Sequence, residues 1–432
     1  MQKQLIFLSL FCFTVSLTHP LWADEGPDDN EALRREIQAL KGRLTELERR
    51  LEKTEAQAKA KVSEGPMLPE ERYKLPEFMH DLTISGMAVA SGNYNVNRPG
   101  DRLNRFHQFD ATADTFQIDE AQLIFHKHPE EGIGFRTDLV FAEIAQNIGS
   151  SGTLTTDDID VEQAYVNYRF TPSDRPLDIW FGKYVTLAGA EVIEDPSNYN
   201  WNITHSFMFY YAIPFTHTGM RATYAPMNWA TVIVGVNNGW DALTDNNHAK
   251  TLETGLSLTP YDWLSWFTSF YYGAEQSGDQ GNQRSLVTSV LTLKPAEKLT
   301  AMAEADYAFE EAGVSTTTDA EWWGIAGYLR YMLSEKWGFS ARAEFFDDND
   351  GVRTLGTSGS GSANGGPSSR TPQELWEFTV TTDYMLYPGL VGRLEYRHDE
   401  SDHNLFLDGG TSASSANDDS QDMVSLQALY AF

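Results

Sequence analysis

Residues 321–342 read Glu321-Trp-Trp-Gly-Ile-Ala-Gly-Tyr-Leu-Arg-Tyr-Met-Leu-Ser-Glu-Lys-Trp-Gly-Phe-Ser-Ala-Arg342. Trp323, Ile325, Leu329, Tyr331 and Leu333 alternate with Trp322, Gly324, Tyr328 and Arg330, and a break at Leu333–Lys336 precedes a second run from Trp337. A period of two with one apolar and one polar face marks a half-buried strand, and two such runs about a short break mark a hairpin. The pattern recurs widely. Ile133, Phe135, Leu139 and Phe141 alternate with Gly134, Arg136, Asp138 and Val140; Ala164, Val166, Tyr168 and Phe170 alternate with Gln163, Tyr165, Asn167 and Arg169. Trp376, Phe378, Val380 and Tyr384 alternate with Glu377, Thr379, Thr381 and Asp383.

Sixteen strands of this kind are predicted, starting near residues 81, 115, 132, 159, 177, 219, 229, 251, 263, 285, 298, 321, 337, 374, 390 and 422. A soluble β-sandwich also alternates, so the links decide. Short links at His128–Glu131, Thr171–Pro176, Ala225–Asn228, Thr259–Asp262, Lys294–Glu297, Leu333–Lys336 and Tyr387–Gly389 interleave with long ones. The long links centre on 91–113, 143–157, 186–216, 238–250, 274–283, 310–319, 347–372 and 399–420. Short turns at one end and long loops at the other are what a transmembrane barrel requires. All 17 prolines fall outside these predicted strands, as expected of a residue that cannot donate to a ladder. The expected fold is therefore an all-β transmembrane antiparallel β-barrel of about 16 strands, residues 79–432.

Composition narrows the function. Acids outnumber bases 62 to 32 and the formal charge is −30, which argues against nucleic acid as a partner. One cysteine excludes a disulfide framework and a thiolate metal cluster. Past the amino terminus no apolar run of about 18 residues occurs, which excludes a helical membrane protein. Residues 1–23 read as a signal peptide, with a basic start, an apolar stretch from Leu5 to Leu17 and Leu21-Trp-Ala23 before the cleavage point. An exported protein is expected.

Residues 24–62 carry a different period. Leu33, Ile37, Leu40, Leu44, Leu47 and Leu51 are spaced four and three apart, the seam of a short α-helical coiled coil. A single amphipathic helix packed on the rest of the chain is the open alternative. A linker, 63–78, with Pro66, Pro69 and Pro76, separates it from the barrel.

The last strand, Val424-Ser-Leu-Gln-Ala-Leu-Tyr-Ala-Phe432, resembles the terminal signal read by the bacterial barrel-assembly machinery, with Phe432 as its end. Gly182-Lys-Tyr184 with Glu191, Pro214-Phe-Thr-His-Thr-Gly219, Asn238-Gly-Trp-Asp241 and Asp245-Asn-Asn247 resemble the putative beta-barrel porin family of type 2. The resemblance implies an outer-membrane porin and names no solute. It also implies contact with the lipid bilayer and lipopolysaccharide, and a homo-oligomer, a trimer by similarity to general porins.

A barrel of sixteen strands leaves an aqueous lumen. Assigned by the apolar face, Arg136, Arg169, Arg221, Arg330, Arg342, Arg393 and Arg397 point inward, against Asp138, Glu304, Asp306, Glu344, Glu377, Asp383 and Glu395. That balance of seven and seven predicts a mixed-charge pore. The link 186–216 is rich in aromatics, including Trp201, Phe207, Phe209, Tyr210, Tyr211 and Phe215, which open water would not hold. Two readings stay open: the loop folds into the lumen, or it packs on a rim or a neighbouring subunit. If it folds inward, Glu191, Glu194 and Asp195 would face Arg136, Arg169 and Arg221 across the narrowest point. Asn202-Ile-Thr204 has the form of a glycosylation triplet, without meaning in a bacterial barrel.

No Gly-x-Ser-x-Gly elbow and no His-Glu-x-x-His occurs, and Asp347-Asp-Asn-Asp-Gly351 fails the calcium-loop spacing. No enzyme activity, cofactor or metal is expected. The leading expectation is a porin in the outer membrane passing small hydrophilic solutes or ions, with a weak cation preference that falls as salt rises. The alternatives are a structural tether that reaches the cell wall through the periplasmic coiled coil, and a solute-selective porin of phosphate type.

Overall fold

The computed structural model describes residues 82–148, 159–171, 175–196, 199–354, 370–409 and 416–432. The expected signal peptide, the coiled coil with its Leu33–Leu51 seam and the linker lie outside these described residues. Among the described residues, sixteen antiparallel strands close into one barrel, each paired with its sequence neighbours and β1 with β16. They are β1 Thr83–Asn95, β2 Phe116–Lys127, β3 Gly132–Phe141, β4 Ile159–Phe170, β5 Leu177–Val185, β6 Thr216–Met227, β7 Ala230–Asn237 and β8 Thr251–Tyr261. The second half comprises β9 Leu264–Ala274, β10 Gln283–Ala296, β11 Leu299–Ser315, β12 Thr318–Met332, β13 Trp337–Asp348, β14 Gln373–Tyr387, β15 Leu390–Ser401 and β16 Ser420–Ala431. The long loops are numbered L1 (96–115), L2 (142–158), L3 (186–215), L4 (238–250), L5 (275–282), L6 (316–317), L7 (349–372) and L8 (402–419).

Closure removes every sheet edge, which is the condition for strands to stand in lipid. The seam joins Met87 opposite Ala431 through Asn95 opposite Met423. Beyond it Phe432 donates to Gly86 O at 3.0 Å and accepts from Gly86 N at 3.1 Å. A Cβ at Gly86 would meet the Phe432 ring at 2.8 Å, so glycine there lets the terminal aromatic lie flat on the seam.

The alternation reads out as two faces. Val166, Ile325, Val380, Trp376 and Phe378 point outward and are exposed, while Arg342, Glu377, Thr379 and Glu395 point inward and are buried. Exposed aromatics gather at the short-turn end, where Tyr261 stacks on Trp263 and Trp337 meets Tyr384 edge-on, the girdle expected at a membrane interface.

Two expectations about the links are corrected. The link 310–319 is not a loop: β11 and β12 run on to a turn at 316–317, with a register break between Glu310 and Ser315 and Ala312 in the left-handed region. Val314 and Thr318, on either side of the turn, favour extended backbone, so the hairpin runs on to it. Pro226, Pro260 and Pro295 lie inside β6, β8 and β10 rather than beyond them. Each sits where the register shifts, at Tyr224/Met227, Leu258/Tyr261 and Leu293/Ala296, so no ladder donor is missed.

The hydrophobic core lies inside the lumen. Phe106 and Phe109 of L1, Ile144, Ala145 and Ile148 of L2, and Phe207–Phe215 of L3 pack on one apolar sector of the inner wall. That sector is Tyr271, Leu286, Trp322, Phe346 and Leu375. A short helix α1, Glu143–Asn147, carries the L2 contribution. Each fully buried Phe-sized side chain is worth about 1.5–3 kcal/mol, so the aromatic content of L3 is what folds it inward.

A loop stitched across the barrel

L3 leaves β5 and returns to β6 with its base closed, Thr186 N donating to Phe215 O at 2.9 Å. Its first turn docks on β9–β11: Leu187 N donates to the Tyr271 hydroxyl at 2.9 Å and Ala190 N to Glu304 at 3.1 Å. From residue 199 onward the loop has no regular hydrogen bonds of its own except a single turn of π-helix, Met208–Ala212. Irregular backbone at membrane depth needs partners from the protein.

The inward charges of β13–β15 provide them. Glu395 accepts Ile203 N at 2.5 Å, Thr204 N at 3.0 Å and the Thr204 hydroxyl at 2.7 Å. Glu344 accepts Phe207 N at 2.5 Å and Met208 N at 3.1 Å. Arginines serve the carbonyls: Arg342 donates to Thr204 O at 2.7 Å, Arg393 to Asn202 O at 3.1 Å, and Arg397 to His205 O. Asn202 of the glycosylation-like triplet donates to the Thr381 hydroxyl at 2.7 Å. One wall thus holds L3 by its carboxylates at the donors and its guanidiniums at the acceptors.

The predicted site residues divide accordingly. Arg342 is fully buried, 2.6 Å from Glu191 and 2.8 Å from Glu377. Glu191 also accepts from Ser206 N at 3.1 Å and faces His205 Nδ1 at 2.9 Å. Burial alone would raise this carboxyl, but Arg342 and His205 hold it down to about 2. Arg393 stands 4.0 Å from Glu194, and Arg136 bridges Asp138 at 2.8 Å and Asp195 at 3.3 Å.

Arg169 and Arg221 do not meet the loop acids as expected. Arg169 pairs with Asp178 at 2.7 Å, Arg221 with Glu253 at 2.6 Å, and Arg330 with Asp383. The transverse field expected between L3 and those two arginines is therefore replaced by contact ion pairs.

The balance of seven acids and seven bases is also corrected. Glu120, Asp160, Glu162, Glu253 and Asp399 are buried on the inner side as well, against Lys183. Glu120 follows the bulge at Val89/Ala90 and Glu162 sits at the one at Asp138/Leu139. A bulge puts an extra residue on one face, so strict alternation passes over such acids. The signal that could have found them is two adjacent polar residues inside an otherwise alternating run.

L1 is held by a buried histidine. His107 places Nε2 2.9 Å from Asp399 and Nδ1 2.9 Å from Asp110. Burial disfavours its charge, but Asp110 and Asp399 outweigh both burial and Arg397 and raise its pKa above the ordinary value. A raised folded-state pKa gives stability that is complete below about 6.5 and is lost as pH rises through the elevated value. The thermal midpoint of the wild type should therefore approach that of His107→Gln as pH rises, and a constant gap would show that His107 does not titrate.

The family model described as "Putative beta-barrel porin-2, OmpL-like" matches residues 81–432. The chain belongs to this family. This porin resembles the anion-selective porin of Comamonas acidovorans at 9% identity and a TM-score of 0.55, covering 81% of this chain and 99% of that one. It resembles the outer membrane channel DcaP of Acinetobacter baumannii at 12% identity and a TM-score of 0.51, with 81% and 97% covered. Salmonella typhi OmpF, solved with daunomycin, matches at 10% identity and a TM-score of 0.52, with 81% and 97% covered. At such identities the likeness shows the fold. A comparison with curated proteins yields no match. Family and fold together make the protein an outer-membrane porin, a channel by class.

Proposed function

We propose that this porin passes small hydrophilic solutes and ions by diffusion, with L3 as the constriction and Glu191, Glu194, Asp195, Arg136, Asp138, Arg342 and Arg393 around it. The reading rests on one observation: L3 crosses the lumen and hydrogen-bonds to the wall β13–β15, with cavities left beside it on either flank of that wall. One of these, about 170 Å³, is lined by Glu191, Trp201, Asn202, Met302 and Tyr328. Of the other inward charges, Arg169, Arg221 and Arg330 are paired with Asp178, Glu253 and Asp383 and would shape the vestibules.

An excess of inward acids favours general diffusion over a phosphate-type channel, which would present unpaired bases. A trimer fits the same reading; one similar structure, OmpT of Vibrio cholerae, is described as a trimer form, at a TM-score of 0.52 and 10% identity. In this proposal Phe432 is the assembly signal, lipopolysaccharide surrounds the outer half, and the amino-terminal segment forms the periplasmic coiled coil, a route to the cell wall. Refolded full-length protein in planar bilayers should give discrete conductance steps that scale with salt. A silent membrane, with the protein shown to be inserted, would favour the tether and end the diffusion reading.

A further inference from the structure

L3 also borders a second, smaller cavity of about 40 Å³, beside the residues Ile203–His205 that are held by β15. Its wall is made by β1, β2 and β16 and by L1–L3, and its polar groups include Asp110, Asp119, Glu120, Glu194 and Gln427. Neither lysine nor arginine lines it. On the β13–β15 side, by contrast, arginines stand beside the carboxylates, as Arg342 does beside Glu191 and Glu377.

Two side chains in this wall are unanswered. Glu120 is 2% exposed and its Oε1 has no hydrogen-bond partner. Gln427 is 5% exposed, and its Oε1 likewise has none. The orientation of Gln427 is set by its Nε2, which donates to Asp119 at 3.1 Å, so the free atom is the carbonyl oxygen. Asp119 itself also accepts from Ser91 at 2.6 Å and Gln117 at 2.8 Å. A buried acceptor without a donor costs about 1–3 kcal/mol, more when charged. Two of them on one cavity, where His205 is the one basic side chain on the lining, describe a place that a cation would satisfy.

We propose that this cavity is a transit site for monovalent cations, in which Glu120 Oε1 and Gln427 Oε1 replace part of the hydration shell. The proposal deepens the porin reading and rests on it. A water occupies only about 10–15 Å³ on the same measure, so the space admits a small ion with a water or two. Carboxylate and carbonyl oxygens are the groups that select cations at such constrictions. Among the described residues no three acidic, histidine or cysteine side chains converge to hold a metal ion, which separates a transit site from a chelating one.

The test uses refolded full-length protein in a KCl gradient. The wild type should show a reversal potential on the cation side and a conductance that saturates with KCl. Glu120→Gln should lower the K⁺/Cl⁻ permeability ratio about tenfold, the low end of the enrichment that a one-signed, low-dielectric cleft produces, and make conductance linear in salt. Gln427→Leu, which keeps the carboxylate, should move both readouts the same way by less, so the test survives if Glu120→Gln fails to fold. Asp279→Asn on the exposed L5 should leave both alone. A wild type that conducts without saturation, or with a ratio unchanged in both inner variants, overturns the cation site and leaves the porin reading standing. A wild type that does not conduct overturns both.

Discussion

Arg342→Met should convert the steady channel into one that flickers to a larger conductance. Arg342 has no exposure and three kinds of partner: the Thr204 carbonyl at 2.7 Å, Glu191 at 2.6 Å and Glu377 at 2.8 Å. Methionine fills much of the same volume, so the lesion is electrostatic. It leaves Glu191 and Glu377 buried without their shared cation, and breaking a buried pair on one side costs about 3–5 kcal/mol. Each 1.4 kcal/mol is roughly a factor of ten in the docking equilibrium, so the undocked population should rise by about a hundredfold or more. The aromatic cluster around Phe207, Tyr211 and Trp322 still holds the far end of the loop, which is why flicker is expected and not permanent opening. Single-channel recording reads this directly. Glu377→Gln, which keeps the shape and one acceptor, should do less. A stable channel of wild-type conductance in Arg342→Met would mean that L3 does not set the narrowest section.

Much of this architecture is legible from spacing, because a strand that faces lipid on one side and water on the other must alternate. The starts of β3, β4, β5, β8, β13 and β15 follow from that alone. The aromatics of L3 argue that the loop is not left in water, but they leave both the lumen and the rim open as the place that buries them. Two kinds of information are absent from a one-dimensional pattern. One is the bulge: at Glu120 and Glu162 an extra residue shifts the face count, and acids that belong inside pass unnoticed. The other is pairing across the lumen. Alternation says that Arg342 and Glu395 point inward, but not that L3 lies over them with its amides and carbonyls turned to the wall. Arg221 shows the limit most plainly, since its partner is Glu253, two strands along the same wall, and not an acid of the loop.

Arginine at Val166, Ile325 or Val380 should destabilise the barrel by about 2–4 kcal/mol, the cost of that charge at the bilayer midplane. These side chains are exposed on the outer surface and lie mid-strand, flanked along β4, β12 and β14 by other outward apolar residues such as Tyr168, Leu329 and Phe378. The inward neighbours are not the tolerant controls that alternation alone suggests. Thr381 is held between Asn202 and Glu395, each at 2.7 Å, and Asn167 is 2% exposed with its Oδ1 2.5 Å from where a Gly134 Cβ would stand. Arginine at Thr381 should therefore dislodge L3 and change conductance, while arginine at Asn167 should clash with β3. Thr292, inward on β10 and half-buried toward the short-turn end, is the position where arginine should be tolerated. Urea unfolding in liposomes separates the cases. A Val380→Arg penalty concentrated in unfolding free energy, a Thr381→Arg effect concentrated in conductance and a near-silent Thr292→Arg would follow from one wall with lipid outside and a docked loop within. Equal losses at Val380 and Thr292 would instead require a sheet buried on both faces, which a lipid-facing barrel cannot be.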